Sequence, residues 1–189
     1  MKIGILISGR GSNMVAIVDA VKSGEIADAE VAVVISDISE AAGLAKAQER
    51  GVETVVIARN GRAREDHDAE IIGELTRRNV DLVCLAGYMR LLSPLFVRSF
   101  PDRILNIHPS LLPAYPGLHT HEKVLAAGES FSGCTVHLVD ELLDHGRVLV
   151  QKEVRVLAGD TTESLAARIL EEEHQAYIEA ITLFDQKLS

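Results

Sequence analysis

Short apolar runs alternate with amphipathic segments along most of the chain. The first run, Ile3 to Ile7, is rich in β-branched residues and ends at Ser8-Gly9, which is typical of a strand buried on both faces. Apolar residues then recur at helical spacing from Met14 to Val21, and we expect Asn13 to cap this helix and Gly24 to end it. The pattern predicts a strand, a glycine loop and a helix.

The same alternation continues as far as His108. Further mostly apolar runs predict four more strands, which are Glu30 to Ser36, Val52 to Ala58, Leu82 to Ala86 and Arg103 to His108. The intervening segments predict helices at Ala41 to Arg50, at Glu65 to Arg78 and, in shorter form, after Ser93-Pro94. This alternation is typical of an α/β protein with a Rossmann-like, doubly wound and mostly parallel sheet.

The last part of the chain departs from that rhythm. After a loop with three prolines, Pro109 to Gly117, the predicted elements are a short helix near Glu122 to Ala127, strands at Cys134 to Val139 and Val148 to Val156, and a long helix from about Thr162 to Lys187. Asp160 or Thr161 is expected to cap the long helix, with Glu163 in its first turn. The two strands predict an antiparallel C-terminal edge of the sheet.

Length and composition fit one globular domain, residues 1–189. The chain is 47% hydrophobic and 25% charged, so it can bury a sizeable core. Acidic residues outnumber basic ones 28 to 19, and the chain has three Tyr, four Phe and no Trp. The net charge of −9 and the few aromatic residues argue against a nucleic-acid partner.

Cysteine content and apolar run lengths bear on the compartment. Cys84 and Cys134 lie in apolar runs without the spacing of a metal site, and two cysteines are too few for a disulfide framework. The apolar N-terminal run ends at Ser8, well short of the roughly 20 apolar residues of a membrane span. We therefore expect a cytoplasmic protein with no membrane partner.

The loop from Ser8 to Asn13 is a candidate anion site. It lies between a strand and a helix, where backbone N–H groups and the positive helix end favour a phosphate. Gly9-x-Gly11, with Asp37 after the second strand, also resembles a dinucleotide fingerprint, although Met14 replaces its third glycine. A tight turn without a ligand is the alternative.

The strongest candidate for chemistry is the run Ile104 to Pro109. Alternation along a strand places Asn106 and His108 on the same face, at the carboxyl end where ligands bind in open α/β sheets. An amide beside a histidine can hydrogen-bond a carbonyl oxygen and stabilise charge that develops on it. The alternative is a structural histidine with its hydrogen bonds satisfied.

Five of the seven histidines, His108, His119, His121, His137 and His145, fall in one stretch of the chain. This concentration indicates a site. A metal could be held by His119 and His121 with Asp140 or Asp144, but no established metal-binding spacing is present, so no metal is expected to be required. If Asp144 lies beside His108, its negative charge favours the imidazolium form.

A carboxylate lies on the apolar face of the last helix. Leu165, Ile169, Tyr177 and Ile181 mark that face at four-residue spacing, and Glu173 falls in the same register. Because a buried carboxylate is costly unless it is paired, Glu173 is expected to meet a cationic ligand group or a basic side chain.

Four motifs together resemble the phosphoribosylglycinamide formyltransferase family. They are Ser8-x-x-Gly11-Ser12-Asn13, Gly87-Tyr88-Met89-Arg90-Leu91-Leu92, Asn106-Ile107-His108-Pro109-Ser110-Leu111-Leu112-Pro113 and Pro116-Gly117-x-His119-Thr120-His121. The resemblance runs from about Ile3 to the final helix. It implies a formyltransferase fold with a phosphate-binding half at about 1–100 and a folate-binding and catalytic half at about 101–189.

The resemblance also implies site residues. The catalytic positions are Asn106, His108 and Asp144, and the positions for the ribonucleotide are Gly11, Ser12, Asn13 and Glu173. The folate-binding positions are Arg64, Met89, Arg90, Leu91, Leu92, Asn106 and the loop Asp140 to Asp144. Arg10, His145 and Arg147 differ from the smaller residues that the family usually has at these positions.

The implied reaction moves a formyl group from 10-formyltetrahydrofolate to the amine of glycinamide ribonucleotide, in purine biosynthesis. Both partners are small molecules, no metal or redox cofactor is implied, and the chain is expected to act as a monomer or a homodimer. Asn106 and protonated His108 would stabilise the oxyanion, and Asp144 would keep His108 charged and assist proton transfer through a water.

Other functions stay open at this point. Formyltetrahydrofolate deformylase shares the catalytic trio but has a preceding regulatory domain, and methionyl-tRNA formyltransferase has an additional tRNA-binding module, neither of which we expect here. An NAD-dependent oxidoreductase rests on Gly9, Gly11 and Asp37. A non-catalytic nucleotide-binding domain is the last alternative.

Overall fold

The computed structural model describes residues 1–186 and divides the chain into two compact units, Met1–Asn106 and a second unit that begins at Ile107. The helices and strands of the first unit are β1 (Lys2–Ile7), α1 (Ser12–Ser23), β2 (Glu30–Ser36), α2 (Ala42–Glu49), β3 (Thr54–Val56), α3 (Arg64–Arg77), β4 (Leu82–Leu85), α4 (Pro94–Ser99) and the start of β5 (Ile104–His108). The predicted alternation of strands and helices is confirmed.

The strands of the first unit are all parallel and follow the order β3-β2-β1-β4-β5. The inner strands β1 and β4 are buried almost throughout, because helices of a doubly wound sheet cover both faces. Chain order reverses between β2 and β4, on either side of β1, which is where ligands bind in such sheets. A ligand site is therefore expected at the loops after β1 and β4.

The second unit contains α5 (Thr120–Ala127), β6 (Phe131–Leu138), β7 (Val148–Arg155) and α6 (Thr162–Asp185). Strands β6 and β7 pair antiparallel and complete the seven-stranded order β3-β2-β1-β4-β5-β6-β7, so the predicted antiparallel edge is confirmed. Helix α6 packs on these two strands with Leu165, Ile169, Tyr177 and Ile181, all of them fully buried. Each such side chain contributes roughly 1.5–3 kcal/mol through burial.

Several details of the sequence prediction need correction. Gly11, not Asn13, occupies the N-cap of α1, so Asn13 lies in the first turn. The third strand is shorter than predicted, because only Thr54, Val55 and Val56 pair with β2. Helix α5 begins two residues before the predicted start, at Thr120.

The start of α6 confirms one of the two predicted caps. Thr161 Oγ1 accepts a hydrogen bond from Ser164 N–H, and Ser164 Oγ accepts one from Thr161 N–H. Glu163 lies in the first turn, as predicted. The predicted end of this helix, Lys187, lies outside the described residues.

Candidate active site

The loop between β1 and α1 presents a helix N-terminus. Gly11 has a left-handed backbone (φ 68°), and the hydrogen bonds of the helix begin with Val15 N–H donating to Gly11 O at 2.9 Å. The first N–H groups of an α-helix have no acceptor within the helix, and its dipole favours an anion beside them. Ser12 and Asn13, the predicted phosphate contacts, are the first two residues of α1.

A close backbone approach holds this loop in place. Gly43 N–H, in α2, donates to Gly9 O at 3.0 Å. A Cβ added at Gly43 would lie 2.6 Å from Ile7 Cδ1, 3.1 Å from Gly9 O and 3.2 Å from Gly11 Cα. Because Gly9 and Gly11 contribute backbone atoms to this contact, only a residue without a side chain fits at position 43.

The loop after β4 is tied to the loop after β1. Ser8 N–H donates to Gly87 O at 3.1 Å, and Met89 N–H donates to Ser8 Oγ at 2.9 Å. The side chains of Met89 and Leu91 are 67% and 51% exposed. Both side chains are therefore accessible to a ligand.

Asp37 does not have the role that a dinucleotide site requires. Its side chain is fully buried, Oδ1 accepts from Ser8 Oγ at 2.7 Å, and Oδ2 pairs with Arg59. With both carboxylate oxygens engaged inside the first unit, Asp37 is not exposed to a ribose hydroxyl. The structure therefore gives no support to the oxidoreductase alternative.

The second unit places a histidine against a carboxylate. His108, at the end of β5, is buried, and its Nδ1 lies 3.3 Å from Asp144 Oδ2. Asp144 has a left-handed backbone (φ 48°), and its Oδ2 also accepts from Gly117 N–H at 2.9 Å. The predicted approach of Asp144 to His108 is thus found in the structure. Asn106 is half-buried, two residues before His108 on the same strand.

The other ring nitrogen of His108 also faces an acceptor. Its Nε2 lies 2.9 Å from the carbonyl oxygen of Tyr115, a residue with a left-handed backbone (φ 55°). Ser110 Oγ donates to the same carbonyl at 3.3 Å. Both ring nitrogens therefore face groups that can accept a hydrogen bond, a carboxylate at Nδ1 and a carbonyl at Nε2.

A second buried histidine adjoins the same carboxylate. His137 Nε2 lies 3.9 Å from Asp144 Oδ1, and its Nδ1 donates to Leu138 O at 2.9 Å. Burial lowers the pKa of His137, against the attraction of Asp144. Burial also lowers the pKa of His121, and the nearby His108 lowers it further.

The remaining predicted residues of the second unit are more exposed. His119 and His145 are 68% and 64% exposed at their side chains and face Glu122 and Asp140. The hydrogen bond from His145 and the N–H of Leu142 lower the pKa of Asp140, against the effect of burial. Glu173 is half-buried, so the expected buried carboxylate on α6 is only partly shielded.

The basic residues assigned to the folate lie in the first unit. Arg64 is exposed at the first residue of α3, and Arg90 is half-buried in the loop after β4.

Within residues 1–186, no group of three or more His, Cys, Asp or Glu side chains is arranged to hold a metal ion. In the same residues, no helix is long and apolar enough to cross a membrane.

Comparison with known proteins decides the family. A family model described as formyl transferase matches residues 1–181. The chain is 45% identical over 185 residues to phosphoribosylglycinamide formyltransferase of Escherichia coli, a match that covers 97% of this chain and 87% of that protein.

The chain belongs to the formyl transferase family.

Solved structures and longer relatives extend this result. Glycinamide ribonucleotide transformylase 1 of Symbiobacterium toebii superposes with a TM-score of 0.97 at 48% identity, over 99% of this chain and 88% of that one. The trifunctional purine biosynthetic protein adenosine-3 of Drosophila melanogaster is 46% identical over 184 residues. That match covers 96% of this chain but 14% of the trifunctional protein. The formyltransferase fold inferred from the sequence motifs is therefore confirmed.

Sequence reasoning missed three polar contacts. The Tyr115 carbonyl on His108 has no signal in the sequence, because a backbone oxygen is present in every residue. The sequence pattern indicated Asp37 as part of a dinucleotide fingerprint, whereas its bond to Ser8 Oγ forms only in the folded sheet. Asp68 had a detectable signal, since it precedes Ile71 and Leu75 at core spacing on α3 and is fully buried.

Proposed function

We propose that the chain transfers a formyl group from 10-formyltetrahydrofolate to the amine of glycinamide ribonucleotide, giving formylglycinamide ribonucleotide and tetrahydrofolate. Membership of the formyl transferase family supports formyl transfer, and the names of the relatives support this acceptor. The structural observation that carries the proposal is the buried His108–Asp144 pair at the carboxyl end of β5. Such a pair suits acid–base work on an acyl group.

Three features of the first unit support the substrate assignment. The N-terminus of α1, with Gly11, Ser12 and Asn13, suits the phosphate of the ribonucleotide. Exposed Met89 and Leu91 suit the flat ring system of a folate. Arg64 and Arg90 supply positive charge for its carboxylates, which matters in a chain whose net charge is −9.

In the second unit, His108 and Asp144 perform the chemistry. The donor supplies the formyl carbon that the substrate amine attacks. His108 as imidazolium, together with the amide of Asn106, donates hydrogen bonds to the formyl oxygen as negative charge develops on it. Asp144 favours the charged form of His108 and accepts a proton through a water on its way from the amine to the leaving nitrogen.

The hydrogen bond from His108 to Tyr115 adds a requirement to this mechanism. Both ring nitrogens are engaged, Nδ1 with Asp144 and Nε2 with the Tyr115 carbonyl. Nε2–H can donate a hydrogen bond to the oxyanion only after the Tyr115 carbonyl has moved away from it. Substrate binding is therefore expected to exchange one acceptor at Nε2, the Tyr115 carbonyl, for another, the formyl oxygen.

One absorbance assay tests the proposal. The purified protein should consume 10-formyltetrahydrofolate only when glycinamide ribonucleotide is supplied, and His108→Ala should abolish most of this turnover. Consumption without the ribonucleotide would instead indicate the hydrolytic, deformylase alternative. Turnover that survives unchanged in His108→Ala would refute the assignment of the catalytic residues.

A further inference from the structure

The segment Gly87–Ser93, between β4 and α4, carries the exposed residues assigned to the folate and is anchored at both ends. Near its start, Met89 N–H donates to Ser8 Oγ at 2.9 Å. At its end, the N–H of the last residue donates to Asp68 Oδ2 at 2.6 Å. Between these anchors, residues 90–92 make no hydrogen bond to any other described residue. Together with Ser8 N–H, which donates to Gly87 O at 3.1 Å, these anchors hold the two ends of the segment.

The first anchor depends on a buried carboxylate. Ser8 Oγ accepts from Met89 N–H through a lone pair, and it donates its own proton to Asp37 Oδ1 at 2.7 Å, which fixes the orientation of the hydroxyl. Arg59 pairs with the other oxygen of Asp37 and offsets the cost of burying its charge. Asp37 thus acts on the segment through Ser8.

The second anchor is a carboxylate with no exposure to solvent. Asp68 Oδ2 binds the N–H of Ser93, and Asp68 Oδ1 lies 3.7 Å from His67 Nδ1. His67 Nε2 donates to Ile57 O at 2.7 Å, which holds the ring against the end of the third strand. Ser93 Oγ in turn accepts from Phe96 N–H and caps α4. One carboxylate therefore links α3, the segment and α4.

Tyr88 adds a buried ring at the start of the segment. Its hydroxyl has no hydrogen-bond partner among the described residues. Burial raises the pKa of this phenol, and the negative charges of Asp37 and Asp68 raise it further. Tyr88 therefore stays neutral near both carboxylates, and its burial fixes the start of the segment against the first unit.

We propose that Asp37 and Asp68 are positioning residues that hold Met89–Leu92 in the conformation that binds the formyl donor, an inference that rests on the proposed function. Neither carboxylate touches the donor. Each instead fixes a backbone N–H of the segment, Asp37 through Ser8 and Asp68 directly. The two bonds that reach a carboxylate, Ser8 Oγ to Asp37 and Ser93 N–H to Asp68, are charge-assisted, and such bonds are about twice as strong as neutral ones.

The experiment compares Asp68→Ala with Asp68→Asn in the full chain. Alanine removes the acceptor for Ser93 N–H, whereas the asparagine carbonyl oxygen keeps it. Hydrogen exchange followed by mass spectrometry should show at least about tenfold faster exchange in peptides that contain Ser93 for the alanine variant. The asparagine variant should exchange within about threefold of the wild type.

Steady-state kinetics supply the second readout. Asp68→Ala should raise KM for 10-formyltetrahydrofolate by about tenfold, with kcat and the KM for the ribonucleotide within about threefold of the wild type. Asp68→Asn should restore the donor KM. Asp66→Ala, at an exposed position in the first turn of α3, is the matched control and should change neither KM.

Ser8→Ala tests the other anchor and remains informative if Asp68→Ala does not fold. It removes the acceptor for Met89 N–H and should speed exchange at the start of the segment while also raising the donor KM. Unchanged exchange in the Asp68→Ala and Ser8→Ala variants, or an equal rise in both KM values, would overturn the inference. If the wild-type protein has no transferase activity, the proposed function fails, and hydrogen exchange still decides whether the carboxylates hold the segment.

Discussion

The loop after β1 and the loop after β5 both follow buried strands, but they are held in different ways. Backbone atoms of α2 hold the first loop: Gly43 N–H donates a hydrogen bond to Gly9 O, and Gly43 packs closely against Gly11. Side chains hold the second, through His108 on the Tyr115 carbonyl and Asp144 on Gly117 N–H. The first loop is therefore shaped before a ligand arrives, whereas the second must give up a hydrogen bond when His108 acts.

The largest effect on activity is expected at Asp144, which lies beside His108 and binds the second loop at Gly117. Asp144→Asn keeps the shape of the side chain but removes the negative charge 3.3 Å from His108 Nδ1. We expect kcat to fall by about 10²–10⁴, because an amide cannot accept the proton that passes through the water. Steady-state kinetics at one pH provide the measurement.

His119→Ala is the control for Asp144→Asn, because it changes an exposed side chain of the loop after β5. Its ring is exposed and faces Glu122, so activity should stay within about tenfold of the wild type. An Asp144→Asn variant that keeps the kcat of the wild type would contradict the role given to this carboxylate.

The next effect tests the backbone contact of the first loop. Gly43→Ala places a Cβ 2.6 Å from Ile7 Cδ1 and 3.1 Å from Gly9 O, so the loop has to shift. We expect KM for the ribonucleotide to rise by about 10- to 100-fold, with a smaller change in KM for the formyl donor. Steady-state kinetics with each substrate varied in turn provide the measurement.

Gly73→Ala is the control for the glycine substitution. A Cβ at Gly73, within α3, meets nothing within 4 Å, so alanine should stabilise the helix by about 0.5–1 kcal/mol and leave both KM values unchanged. If Gly43→Ala also leaves the ribonucleotide KM unchanged, the first loop is not held by this contact.

A smaller effect is expected on stability from the side chains of the second loop. Ser110 is fully buried and its Oγ donates to Ala114 O at 2.6 Å. Ser110→Ala should lower the free energy of unfolding by about 1–3 kcal/mol in urea titrations. Ser99→Ala, which removes an exposed bond to Leu95 O, should change it by about 0.5 kcal/mol or less.

The smallest predicted effect is a pH dependence of stability in the second unit. Burial lowers the pKa of His137 and of His174 below the usual value of 6.5. Below that pH the unfolded chain binds protons that the folded chain resists, so the free energy of unfolding should fall between about pH 6.5 and pH 5.5.

Variants at two histidines separate burial from a general effect of acid. His174→Gln should reduce the pH dependence measured in urea titrations, because it removes one of the three histidines whose pKa burial lowers, the others being His121 and His137. His145→Gln replaces an exposed ring and should leave the slope unchanged. A slope that is identical in all three proteins would show that His174 does not contribute to it.

Much of the fold could be predicted from local patterns. The bounds of β2 were predicted to the residue, because β-branched residues and turn signals are local properties. The cap of α1 was not, since Gly11 takes the left-handed conformation at the point where α2 approaches. Propensity favours Asn13 as a cap, but this long-range contact determines where the helix begins.

The candidate site shows the same limit. Alternation along β5 was sufficient to place Asn106 and His108 on one face, and the motifs were sufficient to associate Asp144 with them. Distances from His108 to Asp144 and to the Tyr115 carbonyl depend on how a loop of positive-φ residues folds back. Spacing along the chain carries no information on that path.

The sequence by itself determined the order of strands and helices, the parallel sheet with its antiparallel edge, and the residue types available for acyl chemistry. These follow from periodicity, which depends on neighbours within a few residues. Three contacts were decided by the tertiary structure alone. Asp37 accepts from Ser8 Oγ, which in turn accepts from Met89 N–H, and Asp68 accepts from Ser93 N–H. The Tyr115 carbonyl accepts from His108 Nε2. Each is a hydrogen bond between atoms that only folding brings together, and burial makes each of them costly to leave unmade.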